Sequence, residues 1–281
     1  MTPVRRARQR LDQLLVERGL AETRARAQAL ILAGKVRVGG GDGARLDRKA
    51  GDLVDVDTPI DVAEPEPYVS RGGHKLAAAL DAFGIDPAGL VCLDVGASTG
   101  GFTDVLLQRG AARVHALDVG RGQLAARVAA DPRVVIHDRM NARTLTSATL
   151  GDAIELAVVD VSFISLGLVL GPIRSTLRGD GTVGTGGPGV GAPIVALVKP
   201  QFEVGRGGTD RGIVRDPAAH RDVLRTVVAR AGELGLGTRA VIASPVLGHE
   251  GNREFLVHLQ AGPGCAAIDE EIEQAIGRGA P

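Results

Sequence analysis

A glycine-rich segment with the composition of a cofactor-binding loop lies at Leu93–Phe102, which reads LDVGASTGGF. Its glycines would let the backbone approach a ligand, and the helix expected after them would offer unpaired N–H groups to an anionic group. The candidate cofactor-binding residues here are Asp94, Gly96, Ala97, Ser98, Gly100, Gly101 and Phe102. Asp118 lies at the end of the next predicted strand, where a carboxylate can accept hydrogen bonds from ribose hydroxyls. The alternatives are a plain tight turn or an NAD-binding loop.

Lysine is rare in this chain, and its positions are therefore informative. Of the 33 Lys and Arg residues, only four are lysine: Lys35, Lys49, Lys75 and Lys199. A lysine can lose its proton in suitable surroundings and act as a base, whereas an arginine cannot. Lys199 ends an apolar stretch and Asp160 ends the predicted strand before it, so both would lie at the carboxyl edge of a sheet, where ligands bind. A structural Asp–Lys ion pair is the alternative.

The elements that must position these residues alternate between apolar strands and helices. Strands are predicted at Leu90–Val95, Ala112–Val119, Val134–Ile136, Glu155–Val161, Ile194–Lys199, Arg239–Ala243 and Phe255–Leu259. This pattern predicts an α/β fold with a mostly parallel sheet covered on both faces. Lys75 would begin a helix that ends near Phe83, and Glu254 immediately precedes the last strand. The segment Gly179–Gly191 has seven glycines and is interpreted as a surface insertion, with a phosphate-binding loop as the alternative.

Composition excludes several classes of protein. The 281 residues are 44% hydrophobic and 23% charged, which is typical of a globular protein. The sequence has no apolar run long enough for a membrane-spanning helix, and its first residues do not form a secretory signal. Cys92 and Cys265 lack metal-ligand spacing, so neither a disulfide framework nor a metal site is expected. A reduced, cytoplasmic location follows from these features.

Charge is distributed unevenly although the net charge is zero. Residues 5–37 contain nine basic and three acidic residues, whereas the six charged residues of 51–67 are all acidic. A basic N-terminal region is typical of proteins that bind a polyanion, although solvated arginines that improve solubility are the alternative.

The N-terminal region combines two predicted helices, Arg10–Arg18 and Arg24–Ala33, with a strand in Lys35–Gly40. It resembles the S4 domain, a small RNA-binding module. The matching residues are Arg10–Asp12, Thr23–Arg24, Ala27, Leu30–Ile31, Gly34, Val36 and Val38. The prediction is an S4-like RNA-binding domain at 1–57, a proline-rich acidic linker at 58–67 and a second domain at 68–281. Candidate RNA-binding residues are Arg10, Arg24, Arg26, Lys35 and Arg37.

The second domain is similar to S-adenosylmethionine-dependent methyltransferases, because an acidic residue precedes a GxxxGG loop by two positions. In such a fold the end of the third strand reaches the adenine, so Asp138 would hydrogen-bond the amino group and Asn141 would flank the ring. An ordinary polar loop is the alternative for both residues.

The order Lys75, Asp160, Lys199, Glu254 resembles the K-D-K-E tetrad of FtsJ-type ribose 2′-O-methyltransferases. The motifs VSRGGHKL, DVGRGQL, DVSFISL, LVKPQFEVG and GNREF, together with the S4-like region, resemble the TlyA family of rRNA methyltransferases, some of which are also described as haemolysins. One departure is Glu66-Pro67-Tyr68, where actinobacterial members have Arg-x-Trp. The departure concerns how the two domains are coupled rather than the chemistry.

The resemblance implies a Rossmann-like class I methyltransferase domain that uses S-adenosylmethionine to methylate a ribose in ribosomal RNA, with a cytidine of 16S or 23S rRNA as the expected target. Lys199 would be the base or would stabilise the alkoxide, and Asp160 would orient it. Lys75 and Glu254 would position the ribose, and Lys75 would also supply a cation near Lys199. No metal is expected, because the leaving sulfide is neutral.

Three other functions are compatible with parts of the sequence. These are a non-catalytic ribosome-binding or assembly factor, a cytolysin, and an NAD-dependent oxidoreductase. Two retained lysines in an arginine-rich chain argue against the first, the lack of a membrane segment against the second, and the loop spacing against the third. With only six aromatic residues, RNA recognition is expected to depend on shape and phosphate contacts rather than on base stacking.

Overall fold

The computed structural model describes residues 7–41, 44–63, 66–179, 191–204 and 209–277. The chain forms two compact units, Met1–Pro67 and Tyr68–Pro281. Residues 180–190, which make up most of the predicted glycine-rich insertion, lie outside the described residues. Within the described residues, no helix combines the length and the apolar character needed to cross a membrane.

The N-terminal unit packs two helices against two small antiparallel β-ladders. Its elements are β1 (Arg8–Arg10), α1 (Leu11–Glu17), α2 (Arg24–Leu32), β2 (Val36–Val38), β3 (Leu53–Asp55) and β4 (Ile60–Val62). Strand β1 pairs with β3, and β2 pairs with β4. Thr23 caps α2, because its side chain accepts a hydrogen bond from the backbone N–H of Arg26 at 3.2 Å. Leu11, Leu15 and Ala27 are fully buried in the core of the unit.

The linker predicted at 58–67 is wrong for its first half. Residues Ile60–Val62 form β4, in which Ile60 pairs with Val38 and is buried in the core. The alternation of apolar and acidic residues in this strand was obscured by the prolines that flank it. The first helix also begins one residue later than predicted, because Arg10 ends strand β1.

The C-terminal unit is built around a seven-stranded sheet. Its strands are β5 (Val91–Val95), β6 (Arg113–Asp118), β7 (Val134–Asp138), β8 (Leu156–Val159), β9 (Ile194–Val198), β10 (Leu236–Ala243) and β11 (Phe255–Ala261). The spatial order is β10-β11-β9-β8-β5-β6-β7, and β11 is antiparallel to both of its neighbours. The prediction of an α/β fold with a mostly parallel sheet is confirmed.

Helices cover both faces of this sheet, and alternate strand residues pack into two separate cores. The helices are α3 (Gly72–Phe83), α4 (Gly101–Gln108), α5 (Ala126–Ala129), α6 (Ser147–Leu150), α7 (Leu170–Arg174), α8 (Pro200–Glu203), α9 (Pro217–Glu233) and α10 (Ile268–Gly277). In β5, Cys92 belongs to one core and Leu93 to the other. The chain order reverses between β5 and β8, and such a switch point opens a crevice at the carboxyl ends of the strands.

Candidate active site

Neighbouring protein atoms leave no room for a side chain at three glycine positions of the loop between β5 and α4. Gly96 has a φ of +87°, and a Cβ there would collide with the backbone carbonyl of Asp160 at the end of β8. Gly100 has a φ of +91°, and a Cβ would lie 2.9 Å from Leu124. At Gly101 a Cβ would collide with the side chain of Ser70. The sequence-based explanation, a close approach of the backbone to a ligand, is therefore incomplete: the glycines also bring neighbouring segments of the fold together.

A cavity of about 340 Å³ opens beside this loop at the ends of β5, β6 and β8. We call it the β6 cavity, and its walls include Gly96, Ser98, Asp118, Val119, Asn141, Asp160, Ser162 and Phe163. Asp118 accepts hydrogen bonds from the backbone N–H groups of Ser98 at 2.8 Å and Gly120 at 2.7 Å. These bonds fix the carboxylate at the cavity wall, and each oxygen keeps a lone pair for a hydroxyl group.

Two predicted cofactor-binding acids do not line this cavity. Asp138 lies at the end of β7, and its carboxylate accepts a hydrogen bond from the backbone N–H of Gly122 at 3.0 Å. Asp94 is completely buried and accepts a hydrogen bond from the hydroxyl of Thr103 at 2.6 Å. Burial raises the pKa of the Asp94 carboxyl to about 7, the Thr103 hydrogen bond opposes the shift, and the charge of Asp160 adds to it. Asp94 Oδ1 has no hydrogen-bond partner among the described residues.

A second cavity, of about 230 Å³, lies between α3 and the glycine loop. We call it the α3 cavity; it is lined by Ser70, Arg71, Lys75, Ala97, Gly101, Phe102 and Asp160, among others. It shares Gly96, Ser98 and Asp160 with the β6 cavity, so the two form neighbouring parts of one crevice.

Lys199 and Asp160 meet at the carboxyl edge of the sheet. Lys199 Nζ lies 2.6 Å from Asp160 Oδ1, and it donates a hydrogen bond to Ser162 Oγ at 2.7 Å. The side chain of Lys199 is 12% exposed, so its amine is largely withdrawn from solvent. Ser162 was not singled out from the sequence, because one serine after a strand carries no distinctive signal.

Lys75 and Glu254 form a second ion pair, which is buried. The two residues are 8% and 2% exposed, and Lys75 Nζ donates a hydrogen bond to Glu254 Oε2. A Cβ at Gly248 would collide with the Glu254 carboxylate, so this glycine makes room for the pair. The positive charge of Lys75 was expected to act on Lys199, but its direct partner is Glu254.

The two ion pairs border a third cavity of about 600 Å³, which we call the lysine cavity. Its walls include Lys75, Ser162, Phe163, Lys199, Phe202, Asn252 and Glu254. Phe163 is 90% exposed with a φ of +63°, and its ring centroid lies 4.9 Å from that of Phe202. A positive φ is uncommon for a residue other than glycine, and such backbone conformations cluster at functional sites. Composition alone gave no reason to single out these rings.

In the N-terminal unit, two predicted RNA-binding arginines serve a buried carboxylate. Asp12 is fully buried and accepts hydrogen bonds from Arg10 at 3.1 Å, Arg24 at 3.0 Å and Gln28 at 2.9 Å. Its hydrogen bond with Arg10 is the largest cause that holds the pKa of the Asp12 carboxyl far below its ordinary value. Arg10 and Arg24 are therefore structural residues in addition to any role in RNA binding.

Arg26 and Arg37 have exposed side chains, and Lys35 is half-buried. None of the three forms an ion pair within the described part of the chain. Of the five predicted RNA-binding residues, these three are therefore the ones whose charge is not paired with a carboxylate in the described part of the chain.

We expect Asp12→Asn to destabilise the N-terminal unit by about 2 kcal/mol, because charge-assisted hydrogen bonds to buried groups contribute about 1.5–3 kcal/mol. Hydrogen exchange of peptides from α1 and α2 in the full chain measures this. The pKa of Asp12 is lower in the folded than in the unfolded unit, so its contribution is present at neutral pH and is lost as pH falls below 3.8. The difference between wild type and variant should therefore shrink in acid. Asp47→Asn, at an exposed pair with Arg45, is the matched control; equal protection in both variants would contradict the role of Asp12.

No group of three or more His, Cys, Asp or Glu side chains that could hold a metal ion occurs among the residues described.

Comparison with protein families gives two matches that follow the division of the fold. Residues 68–261 match the model of the FtsJ-like methyltransferases, and residues 9–41 match the S4 domain. The chain is 45% identical over 273 residues to the 16S/23S rRNA (cytidine-2′-O)-methyltransferase TlyA of Mycobacterium tuberculosis, covering 96% of this chain and 97% of the relative. It is 38% identical to Hemolysin A of Brachyspira hyodysenteriae, covering 89% of this chain and 98% of the relative.

A solved structure of a proposed hemolysin from Streptococcus thermophilus superimposes with a TM-score of 0.69 at 39% identity. The match covers 96% of each chain. The similarity therefore extends over both units and is not limited to the methyltransferase fold.

Proposed function

Because the chain belongs to the TlyA family of S4-containing, FtsJ-like methyltransferases, we propose that it transfers a methyl group from S-adenosylmethionine to the 2′-hydroxyl of a cytidine in ribosomal RNA. The relative from Mycobacterium tuberculosis is named for this activity on 16S and 23S rRNA. The observation that carries the proposal is the placement of Lys75, Asp160, Lys199 and Glu254 around the α3 cavity and the lysine cavity, which share Lys75. We also propose a cytoplasmic location, because ribosomal RNA would be its substrate.

The residues of the crevice fit the methyl donor in shape and in charge. Asp118 at the wall of the β6 cavity can accept hydrogen bonds from the ribose hydroxyls, and the exposed Val119 and the half-buried Asn141 would contact the adenine. The charges of Asp160 and Asp118 add to the raised pKa of the Asp94 carboxyl, and such a group of carboxylates favours a cationic ligand. When bound, S-adenosylmethionine supplies a methyl group on a sulfonium and leaves as a neutral thioether.

Proton removal is the step assigned to Lys199. The 2′-hydroxyl holds its proton tightly at neutral pH, so a base must remove it as the oxygen attacks the methyl carbon. Lys199 Nζ accepts this proton while the O–C bond forms and the C–S bond breaks, and the resulting ammonium is stabilised by Asp160 at 2.6 Å. The ammonium later releases its proton to solvent.

The acceptor nucleotide belongs in the lysine cavity. Lys75, held by Glu254, presents an N–H donor that can fix a ribose oxygen. The exposed ring of Phe163 faces both the β6 cavity and the lysine cavity, which suits it to stack on the base of an unpaired nucleotide. Base stacking therefore has a larger role in this proposal than the low aromatic content indicates.

We propose that the S4 unit binds the RNA through Arg26, Lys35 and Arg37. We expect the double variant Arg26→Ala, Arg37→Ala to weaken RNA binding and to flatten its salt dependence, because each lost phosphate contact reduces the slope of log K against log salt by about 0.7–0.9. Filter binding of rRNA fragments at several salt concentrations measures the slope. Arg225→Ala is the control, because Arg225 lies on α9 and forms an exposed ion pair with Asp269 of α10. An unchanged slope in the double variant would show that these residues are not the anchor.

A transfer assay tests the proposed function. Purified protein is incubated with S-adenosylmethionine carrying a tritiated methyl group and with ribosomal subunits from cells that lack the protein. Incorporation into RNA supports the proposal. Binding to subunits without methyl transfer would identify an assembly factor, and dye release from liposomes without methyl transfer would identify a cytolysin.

A further inference from the structure

Ser162 occupies a position between the two substrates of the proposed reaction. It follows Asp160 by two residues and lines both the β6 cavity and the lysine cavity. Its Oγ accepts a hydrogen bond from Lys199 Nζ at 2.7 Å. Among the described residues, this is its only side-chain hydrogen bond.

We propose that Ser162 is a positioning residue that directs the lone pair of Lys199 towards the acceptor hydroxyl. This inference rests on the proposed function. A neutral lysine amine has two N–H groups and one lone pair in tetrahedral directions. Ser162 Oγ accepts one N–H, whereas Asp160 Oδ1 lies 2.6 Å from Nζ as an ion-pair partner and has no hydrogen bond within the described part of the chain. The negative charge of Asp160 repels the lone pair, so with one N–H held by Ser162 we assign the lone pair to the side of the lysine cavity, which Lys199 and Ser162 both line.

Asp160 alone does not fix this direction. With the ion pair alone, rotation about the Cε–Nζ bond places either an N–H or the lone pair towards the cavity, and only the second arrangement can remove a proton. The hydrogen bond to Ser162 selects the productive rotamer before the substrate arrives. Orientation of a catalytic group in advance lowers the barrier without any new contact to the reacting atoms.

The hydroxyl of Ser162 is not needed for the fold. The residue is exposed and lies after the last residue of β8, outside both apolar cores. Removing Oγ therefore leaves no cavity in a core and, within the part of the chain that the structure describes, breaks only the hydrogen bond from Lys199. A change in activity in Ser162→Ala can be read as a change at the lysine amine.

The test compares Ser162→Ala and Ser162→Thr with wild type in single-turnover methyl transfer to ribosomal subunits across a range of pH. Ser162→Ala should be slower by about 10- to 100-fold, a part of the 10²–10⁴ that a general base contributes. Ser162 accepts a stronger hydrogen bond from the ammonium of Lys199 than from its neutral amine, so the loss of Ser162 Oγ destabilises the ammonium. The acid limb of the pH–rate profile of Ser162→Ala should therefore move to lower pH. The affinity for S-adenosylmethionine should stay within twofold, and Ser162→Thr, which keeps the acceptor oxygen, should recover most of the rate.

Several outcomes would overturn the inference. A Ser162→Ala rate within twofold of wild type, a slower rate with an unmoved acid limb, or a Ser162→Thr variant as slow as Ser162→Ala would each show that Ser162 does not orient the amine. Ser175→Ala changes an exposed serine directly after α7 and is the control for differences between protein preparations. If wild type itself transfers no methyl group, the proposed function fails rather than this inference.

Discussion

Lys199→Arg is expected to abolish methyl transfer and to leave the fold and cofactor binding intact. An arginine keeps its proton at every accessible pH, so it cannot accept the proton of the 2′-hydroxyl. It can still pair with Asp160, and the apolar strand β9 before it is unchanged. We expect the single-turnover rate to fall by about 10²–10⁴-fold, the usual contribution of a general base.

Calorimetric titration with S-adenosylmethionine and a thermal unfolding scan show whether the variant is otherwise intact. Lys49→Arg makes the same chemical change at an exposed position of the N-terminal unit and should behave as wild type. Normal turnover by Lys199→Arg would refute the role of Lys199 as the base.

Glu254→Gln is expected to have the second largest effect, on stability as well as on activity. It leaves the ammonium of Lys75, a residue only 8% exposed, without its carboxylate. Breaking a buried ion pair from one side costs about 3–5 kcal/mol, because the remaining charge is uncompensated. The double variant Lys75→Met, Glu254→Gln removes both charges, so it should recover much of the stability but none of the activity.

Chemical denaturation of the four proteins (wild type, both single variants and the double variant) separates these effects. Asp81→Asn, which breaks the exposed ion pair with Arg109, should change stability little and serves as the matched control. If the double variant transferred methyl groups at the wild-type rate, the pair would be structural only.

The pairing of Lys199 with Asp160 could be predicted from the sequence for a simple topological reason. Each residue follows an apolar strand, and the carboxyl ends of neighbouring parallel strands meet at one edge of the sheet. The family and the α/β fold were also predicted correctly, because the strands are nearly continuous apolar runs and the motifs are specific. The proximity of Lys75 to Glu254 could be inferred only from the family resemblance, since it depends on how α3 packs against the sheet.

Features that depend on three-dimensional neighbours were missed. Nothing in the sequence around Arg10 and Arg24 shows that both bind the buried Asp12, because that arrangement requires α1 and α2 to be packed together. Strand β4 has too few residues for its alternation to stand out from a proline-rich context. The roles assigned to Asp94 and Asp138 remain predictions, since neither side chain lines the β6 cavity.

The position of the transferred methyl group tests the proposed 2′-O-methyltransferase activity most directly. After reaction of wild type and of Lys199→Arg with ribosomal subunits from cells lacking the protein, mass spectrometry of the digested rRNA identifies the methylated nucleotide and atom. We expect a 2′-O-methylcytidine that forms with wild type and is absent with Lys199→Arg. A methyl group on a base, or one formed equally by both proteins, would contradict it.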